Sequence, residues 1–178
     1  MELSVILLKK LVIFPSQEIK LDIKSELSKE IIISSSQNDN NKILVVPPIN
    51  DTPNLPFIGV VSLIESKIIL PNKNLRVVLK GIKRVEIVKY YNKEHEDILK
   101  ATFKDIKPTT ITLEEDIAIK RKLITSLNNY IEGNPSLSNA IVSSISNTKD
   151  LNLLTDMIES FLPLDASKKQ QYMIETNP

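Results

Sequence analysis

The stretch RVVLKGIKRVEIV, residues 76–88, decides the fold because apolar and charged side chains alternate along it. Four apolar residues occupy odd-numbered positions: Val77, Leu79, Val85 and Ile87. Four charged residues occupy even-numbered positions: Arg76, Lys80, Arg84 and Glu86. This alternation predicts a strand with one buried and one solvated face. Gly81 interrupts the run, which indicates a bulge or tight bend that curls a sheet. We therefore predict a small, partly closed β-barrel around this strand.

Similar β-branched segments on both sides of this strand, up to about Asp105, are typical of a mostly antiparallel sheet. The predicted strands are residues 3–7, 18–23, 42–46, 57–65, 67–70, 75–90 and 99–105. The segment Pro71-Asn72-Lys73-Asn74 predicts the clearest turn.

One helix is predicted among the strands. It begins at the capping residue Ser25, carries Leu27 and Ile31 on one face, and should end near Ile32, because three successive isoleucines are poor helix formers. A polar loop over residues 34–41 and a proline-rich loop over 47–56 are expected to follow.

After residue 107 the apolar period changes from two to about 3.6, which predicts a helical lobe. A capping box at 112–115 begins a helix that Gly133 ends, with an apolar stripe at Leu113, Ile117, Ile124, Leu127 and Ile131. Further helices are expected from Asn134-Pro135, Asp150 and Asp165, the last still continuing at the chain end. The prediction is an α+β chain with a β-rich lobe over 1–107 and a helical bundle over 108–178.

Composition excludes several kinds of function. The 23 basic and 22 acidic residues give a net charge of +1, which provides no general attraction for nucleic acid or an acidic membrane. Cysteine is absent, and the single histidine, His95, lies in a charged stretch that indicates an exposed loop. The first residues lack the basic start of a signal peptide, and their apolar run is too short to cross a bilayer. We expect a soluble, cytoplasmic protein.

Catalytic and cofactor sites are not expected in this chain. Its three glycines, Gly59, Gly81 and Gly133, are too far apart to form a phosphate-binding loop, so ATP has no site here. A serine nucleophile would have to rely on His95. The acidic run at 114–116 suits the start of a helix better than a metal site, because adjacent helical residues point in different directions. No catalytic, cofactor-binding or metal-binding residue is therefore predicted.

Residues 67–89 are locally basic, with seven cations and one carboxylate. Nucleic acid could bind such a face, but no aromatic residue in that stretch up to Lys89 offers a stacking platform. Solvated strand positions explain the charges better, so RNA binding is kept as an alternative hypothesis.

Five motifs, in order, resemble the N-terminal domain of bacterial-type ATP-dependent Lon proteases across essentially the whole chain. They are the apolar opening that closes in Phe14-Pro15, Phe57-Ile58-Gly59-Val60-Val61, Leu70-Pro71-Asn72, Val78 to Val85, and Phe161-Leu162-Pro163-Leu164 before Lys168-Lys169-Gln170-Gln171. Leu7 and Lys10 depart from the family's first turn. The motif residues are expected to be structural: Phe14, Pro15, Gly59, Leu70, Pro71, Gly81, Arg84 and Pro163.

The resemblance implies a β lobe like that of pseudouridine synthases and archaeosine transglycosylases (PUA-like), followed by helices. It implies that the chain binds misfolded, damaged and regulatory proteins without cleaving them. The longer parent would be a homohexamer with an ATPase module using ATP and Mg and a Ser-Lys protease dyad, and the chain would stop in the helix leading to that module. Alone it is expected to be a monomer or weak dimer. The alternatives are an RNA-binding PUA-like module and a free-standing adaptor.

Overall fold

A computed structural model describes residues 1–9, 11–47, 55–92, 97–107, 111–133, 143–145 and 147–175. The strands are β1 (Glu2–Leu7), β2 (Glu18–Ile23), β3 (Lys42–Val46), β4 (Ile58–Ile69), β5 (Leu75–Asn92) and β6 (Leu99–Asp105). The helices are α1 (Glu26–Asn38), α2 (Leu113–Glu132), α3 (Leu151–Phe161) and α4 (Ala166–Ile174). The predicted α+β class is confirmed.

The strands form one curled six-stranded sheet in the order β2-β5-β4-β3-β1-β6, and β6 pairs again with the far half of β5. The predicted mostly antiparallel sheet is confirmed, with one parallel pair, β1 with β3. A parallel pair needs a long crossover connection, and β2 and α1 lie between these two strands in the chain. The description of the curled sheet as a barrel stays a prediction.

The predicted irregularity beside Gly81 is confirmed. Val61 pairs with Lys83 and Ser62 with Gly81, so Ile82 is an extra residue on β5. The bulge exchanges the faces of the strand. Side chains at 77 and 79 therefore pack in one apolar cluster and those at 85 and 87 in another, which corrects the expectation of a single buried face over 76–88.

The two clusters cover the two faces of the sheet. The larger one includes Ile43 and Val45 of β3, together with α1 and the segment 12–14. The smaller one includes Leu44 and Val46 of β3, with side chains from β1, β4, β5 and β6. Because β3 is buried on both faces, its sequence is a continuous apolar run instead of an alternation.

Gly81 lies directly under the turn that follows Phe14. Ser16 donates its backbone N–H to Gly81 O at 2.9 Å, and Gly81 donates its own to Gln17 O at 2.9 Å. A Cβ on Gly81 would lie 2.1 Å from Phe14 O. Two motifs that are far apart in sequence, Phe14-Pro15 and the glycine of β5, are thus one packing unit.

Helix α1 is longer than predicted. It begins after its cap Ser25, as expected, but continues to Asn38, so the loop predicted over 34–41 is wrong for its first five residues. Ile31, Ile32 and Ser35 are buried, and this packing outweighs the weak helical preference of the isoleucines. Strand β4 likewise runs unbroken through Ser66, where the sequence predicted two strands.

The capping residues of the helices after residue 107 are the ones that the sequence predicts. Thr112 and Glu115 form the predicted capping box, Gly133 follows the last residue of α2, and Asp150 and Asp165 cap α3 and α4. Its apolar cluster contains Leu127, Ile145, Leu151 and Leu154. The helix predicted from Asn134-Pro135 lies largely outside the described residues, as do His95 and most of the proline-rich loop.

Two expectations for the helices are wrong. Leu113 is 75% exposed and Ile117 is 47% exposed, because Ile119 and Leu123 pack against the cluster in their place. Helix α4 does not continue to the chain end: it ends at Ile174, and Glu175 is extended. Met173 of α4 packs in the larger cluster of the sheet. The division into lobes at residue 107 and the helical bundle stay predictions.

Candidate functional site

Arg84 of β5 joins the sheet to the last helix. Its Nη1 donates to the carbonyl oxygens of Tyr172 and Met173, both at 3.0 Å, and of Glu175 at 2.7 Å. The last carbonyls of a helix lack partners within the helix and carry the negative end of its dipole. The guanidinium therefore satisfies and neutralises the C-terminus of α4.

The other side of the same guanidinium binds α3. Nη2 donates to Glu159 Oε2 at 3.0 Å and forms an ion pair with Asp156. None of the three side chains is more than 17% exposed. We call these three residues and the α4 carbonyls the Arg84 junction.

Alternation along β5 predicted Arg84 to be on the wet face, and this is wrong. The bulge at Ile82 places Arg84 opposite Val60, whose side chain belongs to the larger cluster. Its guanidinium lies 5.6 Å from the centre of the Phe14 ring, a distance suited to a cation–π contact. Phe14, Gly81 and Arg84 are therefore brought together at one place.

The junction shifts the acidity of its carboxyl groups. Burial raises the pKa of Asp156 to about 6, with Arg84 opposing the shift and the charges of Glu159 and Asp150 adding to it. Burial also raises the pKa of Glu159, again opposed by Arg84. The single cation thus opposes the effect of burial on two acidic side chains.

We expect Asp156 to make the folded chain less stable as the pH rises from 4 to 7. Between the ordinary pKa of 3.8 and the folded value of about 6, the folded chain keeps a proton that the unfolded chain has lost. The free energy of unfolding should therefore decrease by up to about 3 kcal/mol across this range. Urea unfolding of the wild type and of Asp156→Asn at several pH values isolates this contribution. Parallel pH profiles for the two proteins would contradict it.

A cleft lies beside the junction, between the turn after Phe14 and the end of α3. Pro15, Ser16, Gln17 and Glu18 line one side, and Met157, Ser160 and Phe161 line the other. Phe161 is 40% exposed. Ser160 Oγ donates to Met157 O at 2.7 Å, and Lys169 Nζ donates to Ser160 O at 2.9 Å, which fixes this end of the helix. The cleft is thus lined by three apolar side chains, those of Pro15, Met157 and Phe161, and by four polar ones.

Four of the seven cations in the basic stretch at 67–89 form ion pairs within the fold. Arg76 binds Asp22 through two hydrogen bonds of 2.7 and 2.8 Å, and this contact lowers the pKa of Asp22. Three further cations also have acidic partners: Lys80 pairs with Glu18 and Glu65, Lys83 with Asp105, and Arg84 with the junction carboxylates. These pairs reduce the positive field that RNA binding would need.

The remaining motif residues lie apart from the junction. Gly59 packs against Leu44, Val46 and Ile87 in the smaller cluster. Leu70 and Pro71 form the turn between β4 and β5, and Pro163 lies between α3 and α4. Gly81 is in β5, and Gly133 directly follows α2.

Sequence analysis missed Asp156 and Glu159. Their only sequence signal is a spacing of three on one helix, which is common to many surface pairs.

None of the helices in the described ranges is long and apolar enough to cross a membrane.

Comparison with known families fits this geometry. The sequence model of the ATP-dependent protease La (LON) substrate-binding domain matches residues 2–178. The chain belongs to this family. Its curated relatives include the Lon protease of Brevibacillus choshinensis, 28% identical over 99% of this chain, and Lon protease 1 of Bacillus subtilis, 25% identical over 93%. The chain spans 23% and 22% of the lengths of these two Lon proteases.

Solved structures of Lon N-terminal domains share the fold. The N-terminal domain of Mycobacterium avium complex Lon protease superposes with a TM-score of 0.83 at 15% identity, covering 99% of this chain and 91% of that one. A Lon N-terminal domain protein from Xanthomonas campestris superposes with a TM-score of 0.56 at 14% identity, covering 92% and 99%. At these identities the likeness concerns the fold alone.

Proposed function

We propose that this chain is the part of a Lon protease that binds polypeptide substrates, and that it holds apolar side chains of unfolded segments in the cleft between residues 15–18 and α3. The observation that carries the proposal is the exposed ring of Phe161 at the edge of a cleft that also contains Met157 and Pro15. Aromatic and methionine side chains are enriched at sites that accept varied partners. Misfolded, damaged and regulatory proteins are the proposed substrates.

The surroundings of the cleft suit this task. One wall is rigid, because the turn at 15–18 is bonded to Gly81 through two backbone hydrogen bonds. The opposite wall, α3, is held by the Arg84 junction. A site of fixed shape loses less conformational entropy on binding than a mobile one. We infer that the junction keeps the two walls at a constant separation.

Cleavage belongs, in this proposal, to the rest of the longer protein. The ATP, Mg, protease dyad and homohexameric assembly implied by the family would be supplied outside this chain, in the cytoplasm. The chain itself would bind polypeptide and hand it on. Separately purified, it is proposed to be a monomer or weak dimer.

We expect Phe161→Ser to weaken the binding of an unfolded protein about tenfold, the effect of losing part of one aromatic contact. The measurement is fluorescence anisotropy with labelled, permanently unfolded casein. Ile117→Ser is the matched control, because Ile117 is a similarly exposed apolar residue on α2 and does not line the cleft. Equal affinity of Phe161→Ser and wild type, with both folded, would remove the cleft from the proposal. Binding of RNA in preference to casein would favour the alternative module.

A further inference from the structure

The outer half of β4 has an open edge. Pairing of β3 with β4 ends at Leu63, which lies opposite Lys42, and Ile64 N donates one further hydrogen bond to Asn41 O at 2.7 Å. From Ser66 to Ile69, within the part of the chain that the structure describes, β4 pairs with β5 alone. Residues 65–69 are all exposed, with Ile68 at 61% and Ile69 at 74%. Natural proteins usually protect such an edge, because its backbone groups can pair with another chain.

The hydrogen bonds of the turn between β4 and β5 show which backbone groups of β4 face its open edge. Leu70 donates to Asn74 O at 2.8 Å and accepts from Lys73 N at 2.9 Å, so both of its backbone groups point toward β5. Successive residues of a strand direct these groups to opposite edges. The N–H and C=O of Ile69 and Lys67 are therefore directed to the open edge.

The charges at this end of the hairpin select the partner. Lys67 and Lys73 form no ion pair with any described residue, whereas the nearby Glu65 is paired with Lys80. Two copies of β4 joined antiparallel about this edge would bring their Lys67 side chains close together, and like charges facing each other destabilise strand pairing. A segment carrying carboxylates fits better than a second copy.

We propose that residues 66–70 bind an extended, β-branched polypeptide segment with acidic flanks as an added strand beside β4. The proposal rests on the proposed function. It adds a second way of binding polypeptide, through hydrogen bonds to the main chain of β4. Main-chain hydrogen bonds to Ile69 and Lys67 would supply affinity with little dependence on sequence, as in other cases of strand addition. Ile68 and Ile69 are consecutive and point to opposite faces of β4, so they would contact apolar or β-branched side chains at adjacent positions of the added strand.

The test uses a labelled peptide of alternating valine and threonine with glutamates at both ends, titrated with the 178-residue chain. Ile69→Pro removes the outward N–H without removing a β4–β5 hydrogen bond, and should weaken binding about tenfold or more. Ile69→Ala keeps the N–H and should retain most of the affinity. A Pro variant that is folded by circular dichroism and binds like wild type would overturn the proposal.

Further experiments distinguish failure of the strand site from failure of the cleft. The same peptide with N-methyl groups at alternate residues should fail to bind wild-type protein, and equal binding would overturn the proposal even if Ile69→Pro does not fold. Ile117→Ser, on α2 and away from both β4 and the cleft lining, should leave peptide binding unchanged. If casein binding depends on Phe161 but the peptide does not bind wild type, the strand site is wrong and the cleft stands. Self-association that Ile69→Pro abolishes would identify a second copy as the occupant and overturn the assignment.

Discussion

Gly81→Ala should destabilise the chain by at least about 3 kcal/mol, a large share of the stability of an ordinary domain. A methyl group there would lie 2.1 Å from Phe14 O and 2.9 Å from Phe14 C, and both are backbone atoms that cannot rotate away. The turn at 15–18 would have to separate from β5, breaking its two hydrogen bonds to Gly81. Chemical denaturation followed by circular dichroism measures the effect.

Gly133→Ala is the matched control. A Cβ there would meet only Tyr130 O at 3.6 Å, an ordinary contact, and the residue has a φ of −82° that alanine adopts freely. We expect a change within about 1 kcal/mol, in the stabilising direction because the unfolded chain becomes less flexible. Similar losses at both glycines would show that close approach to the turn is not what Gly81 provides.

Arg84→Met should destabilise the chain by about 3 to 5 kcal/mol at pH 7. The substitution keeps the apolar stem but leaves Asp156 and Glu159 buried without their cation. It also removes the side-chain donor to the carbonyl oxygens at the C-terminus of α4. Hydrogen exchange should also become faster in α4, because its C-terminus is no longer held to the sheet. Denaturation and exchange mass spectrometry test the two effects separately.

The control for Arg84 is Arg76→Met. Arg76 makes an ion pair of 2.7 Å with Asp22, but both side chains are exposed to solvent by more than a third. Exposed pairs contribute about 0 to 1 kcal/mol, so the loss should be small. The cost of Arg84→Met should decrease below pH 6, where Asp156 becomes protonated and no longer needs the cation. A cost that is the same at pH 5 and pH 7.5 would contradict the role given to the junction.

Local signals in the sequence predicted the elements well. Short-range signals predicted the bounds of three strands, β2, β3 and β6, and the N-caps of the four helices that the structure describes. These signals are β-branched runs, turn residues and capping side chains, which act over a few residues. The sequence predicts too early an end for helix α1, because the helix is extended by burial of Ile32 and Ser35, which is a tertiary effect. The parallel pairing of β1 with β3 was missed for the same reason, since nothing within either strand specifies its neighbour.

The candidate site is harder to predict from the sequence than the helices and strands are. Gly81 and Phe14-Pro15 were recognised as motif residues, but their contact joins positions more than 60 residues apart, and only the fold reveals it. Arg84 was placed on the wrong face because a one-residue bulge at Ile82 reverses the alternation. Asp156 and Glu159 gave no usable signal, since acidic residues on a helix are ordinarily solvated.

Hydrogen exchange of the wild-type chain with and without a saturating unfolded polypeptide tests the proposed binding role most directly. The account predicts slower exchange at residues 16–18 and 157–161, the amides of the two walls of the cleft, with the polypeptide recovered uncut. Binding that leaves both segments unprotected, or cleavage of the polypeptide by the purified chain, would contradict it.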